Sequence, residues 1–354
     1  MQDYAQKLDK LIESVITATG SDLHLSTNRV PVMRVATQLT QMVNEPPLEE
    51  PEILEMLRHM MRDEEKYQTF LHNQEIDFAY DYQGRARMRG NAFFQKGKVG
   101  VALRIIPQVK TLDELNLPPA LKDFARLKQG FFLVVGPVGQ GKSTTMAALI
   151  DIINTERAEH IITIEEPIEY LFESKKSIID QREVGIDTKD FAAALKSAFR
   201  QDANVLMIGE MRSKDTISAA VTAAETGHLV ISTLHTNNAS QTIDRIIDSF
   251  PAEQQDQARS QLANSLVGIF SQRLIPRISG GLVPAYELLI NNKAVANLIR
   301  ENRTHEIDLV IETSSGQGMI DMSNSLVDLV RRGEITIDEA KFHAFNKKSL
   351  ENLL

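Results

Sequence analysis

The stretch FFLVVGPVGQGKSTTMAALIDII, residues 131–153, decides the fold. Its first five residues form a short apolar run suited to a buried strand, and its last eleven carry helix-forming residues with apolar helical spacing. Between them GPVGQGKS, residues 136–143, fits the phosphate-binding pattern G-x-x-x-x-G-K-[ST]. Strand, loop and helix thus fall where a P-loop needs them. Gly136, Gly139 and Gly141 let backbone N–H groups close around phosphate oxygens, and the helix that follows points its positive end at them. Lys142 is expected to hold the β- and γ-phosphates and Ser143 to ligate Mg²⁺. The expected ATP-binding segment also takes in Pro137, Val138, Gln140 and Thr144.

The chain has 354 residues, enough for about two domains, and its 42 % hydrophobic and 25 % charged content is that of an ordinary globular protein. A formal charge of −9 argues against a general nucleic-acid coat. Without cysteine there is no disulfide framework, no thiolate zinc site and no cysteine nucleophile. No apolar stretch approaches the ~18 residues of a membrane span. The opening MQDYAQKLDKLIESVI mixes charges with apolar residues, unlike a signal peptide, so a cytoplasmic protein that meets a membrane only through a partner is expected. Tyr4, Leu8, Leu11, Ile12 and Val15 line one side of a docked helix.

Up to about Pro107 the texture is that of a small α+β domain. SDLHLS and VPVMRV alternate like strands, a helix starting near Pro51 carries Leu54, Leu57, Met60 and Met61, and IDFAYDY, RARMRGNAFF and VGVALRII are again strand-like. Residues 107–119, PQVKTLDELNLPP, read as a linker because they are polar with prolines at both ends. From residue 120 onward FFLVV, HIITI, VLMI and HLVIST alternate with helical segments, which predicts α/β architecture around a largely parallel sheet.

A P-loop needs an acid at the end of a neighbouring strand. VLMIGE, residues 205–210, supplies Glu210, expected to orient the attacking water. IITIEEPIEY crowds Glu165, Glu166 and Glu169 after another strand; three such carboxylates repel unless Mg²⁺ or arginines compensate them, so a metal-side role is expected, with Glu166 beside Ser143. His228 and His235 flank a strand seven residues apart, a weak metal signal; His235 is placed to sense a γ-phosphate or a neighbouring subunit, whereas for His228 a structural role is an equal alternative. Arg85, Arg87 and Arg89 are spaced by two, so on a strand they point the same way and need an anion, opposing carboxylates or water.

GPVGQGKS, TIEEPIEY, VLMIGEMR and TAAETGHLVISTLHT occur in the order found in secretion-superfamily ATPases, and the chain most resembles the type IV pilus retraction (twitching motility) ATPases. The likeness extends over GSDLHLS, RMRGNAF, QREVG at 181–185, TIDRIIDSFP at 242–251 and NLIRE at 297–301. It implies a PAS-like N-terminal domain joined to a RecA-like P-loop ATPase domain with a C-terminal helical part, and a ring of six copies binding ATP between subunits. On that analogy Glu210 is the catalytic glutamate, Glu165 and Glu166 form the acidic box, His235 reports the γ-phosphate, and Arg87, Arg89 and Arg104 come from the small domain. The implied partners are copies of the chain itself, an inner-membrane platform protein at the pilus base and a paralogous pilus ATPase. The chain departs from the pattern in three places: Glu166 replaces aspartate, QKGKVG lacks a further arginine for which Lys96 or Lys98 would stand in, and Ala296 replaces arginine in AVANLIRE. Related assembly motors carry an extra N-terminal domain and a four-cysteine zinc element, so this chain sides with the retraction branch.

Two other functions fit a RecA-like ring: a nucleic-acid translocase, which DNA-stimulated hydrolysis would reveal and the acidic charge disfavours, and a non-hydrolysing switch, which the intact Lys142 and Glu210 disfavour.

Overall fold

A computed structural model describes residues 4–35 and 38–354, so the first three residues of the expected N-terminal helix lie outside the described part. The chain forms two compact units, residues 1–107 and 108–354.

The first unit contains α1 (Tyr4–Thr17), β1 (Asp22–Ser26), β2 (Val32–Val35), β3 (Gln38–Gln41), α2 (Glu50–Met61), α3 (Glu64–Asn73), β4 (Glu75–Tyr82), β5 (Ala86–Gln95) and β6 (Lys98–Ile105). Its six strands make an antiparallel sheet in the order β3-β2-β1-β6-β5-β4. Leu8, Leu11, Ile12 and Val15 of α1 are buried as their spacing predicts, packed with Ile53, Leu57 and Met60 of α2 and with the inner face of the sheet. Two elements escape the sequence pattern. β3 is exposed throughout, so it has no apolar alternation, and α3 buries only Tyr67 and Phe70.

The second unit runs through α4 (Leu121–Ala125), β7 (Gly130–Val135), α5 (Lys142–Glu156), β8 (His160–Glu165), β9 (Ile178–Glu183), α6 (Phe191–Ala198), β10 (Val205–Ile208), α7 (Lys214–Glu225), β11 (Leu229–Leu234), α8 (Ala239–Ile247), α9 (Gln255–Ser265), β12 (Leu266–Pro276) and β13 (Leu282–Ile290). It closes with helices α10 (Lys293–Arg300), α11 (Ile307–Thr313), α12 (Met322–Arg331), α13 (Ile337–His343) and α14 (Lys347–Leu353). Seven strands in the order β13-β12-β7-β11-β10-β8-β9 form a sheet that is parallel except for β13. β7 and β11 are buried at every residue, as strands covered on both faces must be.

The alternation of side chains sorts the sheet's apolar residues into two layers. Phe131, Leu133 and Val135 pack with α6 to α11, while Phe132 and Val134 pack with α4 and α5. Leu112 and Leu117 are buried in this second layer, so the segment read as a linker is tied to the second unit by its leucines. In α10 the buried residues are Val295, Ala296 and Ile299, whereas Ala294 is exposed.

Candidate active site

Because β7, β8, β10 and β11 are parallel, the residues that follow each of them emerge at one edge of the sheet, where open α/β sheets bind ligands. The P-loop follows β7, the acidic turn follows β8, Glu210 and Arg212 follow β10, and His235 follows β11. They line one cleft of about 460 Å³, together with residues 138–144, Phe172, Phe191 and Leu274.

The loop keeps its shape by close backbone approach. Gly136 has φ 146°, and a Cβ there would sit 2.4 Å from the Gln272 carbonyl oxygen; Gly141, with φ 79°, opens α5. Gln272 of β12 is buried. Its Nε2 donates to the Gln140 carbonyl at 2.8 Å, its Oε1 accepts from Thr145 Oγ1 at 2.6 Å, and the Leu274 N–H donates to Gln140 Oε1 at 2.7 Å. Nothing in the sequence marks Gln272 as part of the loop, because the contact spans more than 130 residues. Gln272→Ala leaves buried polar groups unpaired and is expected to cost about 1–3 kcal/mol of stability. Nucleotide affinity should fall with it; thermal unfolding and a fluorescent-nucleotide titration measure both, and parental values for the two would exclude the clamp.

Lys142 is 7 % exposed, and its ammonium donates to the Gly136 and Pro137 carbonyls at 2.8 and 2.9 Å and to His235 Nδ1 at 3.1 Å. An ammonium can only donate, so Nδ1 accepts and the ring proton lies on Nε2, 3.2 Å from Glu210 Oε1. Burial lowers the Lys142 pKa, with the charges of Glu210 and Glu169 opposing it. The other oxygen of Glu210 accepts from Arg212 at 2.8 Å, and Arg212 also reaches Glu166 at 3.5 Å. Burial works against ionisation of Glu210, but the bonds from Arg212 and His235 together with the Arg212 charge outweigh it and hold the carboxyl below its usual range.

Arg212 thus answers Glu166, one of the three crowded acids, as well as Glu210, and in the sequence it stands out only as the residue two places after Glu210. Glu165 is buried and accepts from Thr163 Oγ1 at 2.7 Å and from Gln181 Nε2 at 3.3 Å; burial, opposed by these bonds, pushes its pKa up to about 7. Tyr170 O–H and Thr144 Oγ1 are 2.7 Å apart and join the acidic turn to α5.

Among the described residues no three His, Asp or Glu side chains converge as a ready-made metal site. The donors facing the cleft are the Ser143 hydroxyl and the carboxyls of Glu165, Glu166 and Glu169, hard oxygen ligands that suit Mg²⁺ shared with phosphate.

The remaining predicted residues lie elsewhere. His228 Nδ1 donates to the Ala223 carbonyl at 3.0 Å, and its ring meets the edge of Phe199, a structural role. Arg85 falls in the turn before β5 and pairs with Glu13 of α1, so it does not share a strand face with the other two arginines. Arg89 and Arg104 are neighbours across β5 and β6, with Asp77 4.0 Å from the first and Asp22 2.8 Å from the second; Arg87 stands opposite Asp81 of β4. The arginines therefore have carboxylates close by in their own sheet.

Residues 2–282 match the model of the family described as Type II/IV secretion system protein. The chain is 43 % identical over 325 residues, 91 % of its length and 93 % of the relative's, to the type IV pilus retraction ATPase PilT of Pseudomonas aeruginosa. It is 39 % identical over 350 residues, 98 % of its length and 91 % of the relative's, to the type IV pilus ATPase PilU of the same organism. A crystal structure of the pilus retraction motor PilT with bound ADP superposes with a TM-score of 0.91 at 42 % identity, covering 98 % of this chain and 99 % of that one.

Proposed function

The chain belongs to the Type II/IV secretion system protein family, and from that premise we propose that its P-loop cleft powers the retraction of type IV pili by ATP hydrolysis. The protein is an ATPase of the pilus retraction kind. One observation carries the assignment of roles: Lys142, His235, Glu210 and Arg212 form a continuous chain of hydrogen bonds and ion pairs along the cleft. Lys142 binds phosphate, the Nε2–H of His235 and the guanidinium of Arg212 hold Glu210 ionised, and Glu210 orients the water that attacks the γ-phosphorus. Ser143 and Glu166 hold Mg²⁺, which neutralises phosphate charge when bound. A neutral histidine bonded to both the phosphate-binding lysine and the water-orienting acid can pass a change at one to the other.

The finer assembly is part of the same proposal. Six copies form a ring, Arg87, Arg89 and Arg104 act across subunit boundaries, and the ring works in the cytoplasm on an inner-membrane platform protein. No helix among the described residues is long and apolar enough to cross a membrane, and in this proposal a membrane-embedded partner delivers the force to the pilus. A strain lacking the gene should carry excess surface pili and lose twitching; loss of pili instead would make this an assembly motor.

An accessory retraction role is the second reading, favoured by Ala296. That residue is buried on α10 in the position where the retraction signature has arginine. The neighbouring Arg300 is exposed and donates to Asn297 Oδ1 at 3.0 Å and Asn264 Oδ1 at 2.7 Å. Arg300→Ala is expected to leave ATPase turnover within about two-fold, since a surface change far from special features moves stability little. The family resemblance implies that this helix is needed for retraction but not for hydrolysis, so twitching should nevertheless be abolished; normal twitching in this variant would remove α10 from the retraction mechanism.

A further inference from the structure

The QREVG segment of residues 181–185 begins on β9, the edge strand, which among the described strands pairs only with β8. Resting on the ATPase reading above, we infer that Gln181 and Glu183 are positioning residues of the hydrolytic centre, fixing the acidic turn of residues 165–172 in the wall of the cleft. The turn after Glu165 has no regular secondary structure, so its backbone groups need partners from elsewhere. Two side chains on one strand supply them. Residues two apart on a strand face the same way, and both reach the turn.

Glu183 Oε2 accepts from the Ile168 N–H at 3.1 Å, midway along the turn. Gln181 Oε1 accepts from the Phe172 N–H at 2.9 Å, at its end, while its Nε2 donates to the Tyr170 carbonyl at 2.8 Å and to Glu165 Oε1 at 3.3 Å. The amide of Gln181 is therefore used from both sides, as donor and acceptor, within one loop. Neither Gln181 nor Glu183 lines the cleft, but Glu165, Glu166, Glu169 and Tyr170, which the turn carries, all do. The far side of the turn is tied to α5 by the Tyr170–Thr144 bond, one residue beyond Ser143. Loosening β9's grip would let the acids move relative to the phosphate-binding helix without touching the P-loop itself.

The test uses the full-length protein and reads three quantities: turnover at saturating Mg·ATP, the Mg²⁺ concentration for half-maximal turnover, and affinity for a fluorescent ADP analogue without Mg²⁺. Gln181→Glu keeps the side-chain length and the acceptor for Phe172 but replaces the donor by a second carboxylate facing Glu165. Gln181→Met keeps the length and removes every bond. Substitution of groups that orient a catalytic or metal-side ligand typically costs about 10–100-fold in activity or metal affinity. Turnover should fall by about that factor in both variants and the Mg²⁺ requirement should rise, with ADP affinity within about two-fold of parental. Glu183→Ala should show the same split, and Glu183→Gln, which retains an acceptor oxygen, should recover most of the lost turnover. Parental turnover and Mg²⁺ requirement in the Gln181 variants would overturn the inference, as would an equal loss of ADP binding, which signals general unfolding. A parental protein without Mg²⁺-dependent turnover would instead overturn the ATPase assignment on which it rests.

Discussion

Glu210→Gln is expected to lower ATP turnover by on the order of 10² or more while leaving nucleotide affinity within about two-fold. The substitution keeps the shape of the side chain and can retain one of its two partners, since an amide oxygen still accepts from His235 or Arg212. What it removes is the negative charge. Arg212 at 2.8 Å and the Nε2–H of His235 at 3.2 Å hold that charge in place against the cost of burial, so the carboxylate is ionised throughout the neutral range. The sign of the pH effect follows: a carboxyl with a depressed pKa loses its charge only below its ordinary range, so Glu210 contributes no loss of activity between pH 6 and 8. Lys142→Ala acts at the other end of the same chain of bonds and should abolish nucleotide binding, because nothing else in the loop supplies an ammonium. Steady-state hydrolysis combined with a fluorescent-nucleotide titration separates the two variants. Parental turnover in Glu210→Gln would mean that another group orients the water.

The second large effect concerns the ring. Arg87→Ala or Arg89→Ala is expected to reduce turnover by as much as about 10³-fold, the lower range for an arginine supplied to a phosphoryl transition state. Arg89 is exposed and its nearest carboxylate, Asp77, is 4.0 Å away, so it is held loosely and is free to exchange that partner for a phosphate. Arg104 is bound more firmly, at 2.8 Å from Asp22, and its loss should cost less in turnover and more in the stability of the small sheet. If these arginines act across a subunit boundary, turnover rises steeply with protein concentration, and mixing in Lys142→Ala subunits depresses it by more than their share. A monomer that is fully active in analytical ultracentrifugation would refute the arrangement.

The local character of a P-loop explains why so much of the nucleotide site was legible in sequence. Glycines, lysine and serine at fixed spacing, bracketed by an apolar run and a helical pattern, determine strand, loop and helix within 23 residues, residues 131–153. Glu210 and the acidic turn could be found the same way, because strands buried on both faces read as apolar runs and functional residues follow their ends. β3 and α3 could not, since one buries nothing and the other buries two side chains. Nor could the pairings. That Arg212 answers both Glu210 and Glu166, that His235 joins Lys142 to Glu210, and that Gln272 clamps a loop more than 130 residues away follow from the order in which the parallel strands lie side by side. The sequence by itself determined which chemistry the strand ends carry, because propensity and spacing act over a few residues. Only the tertiary structure decided which of those groups touch, because hydrogen bonds and ion pairs form between residues that strand order, and not chain distance, makes neighbours.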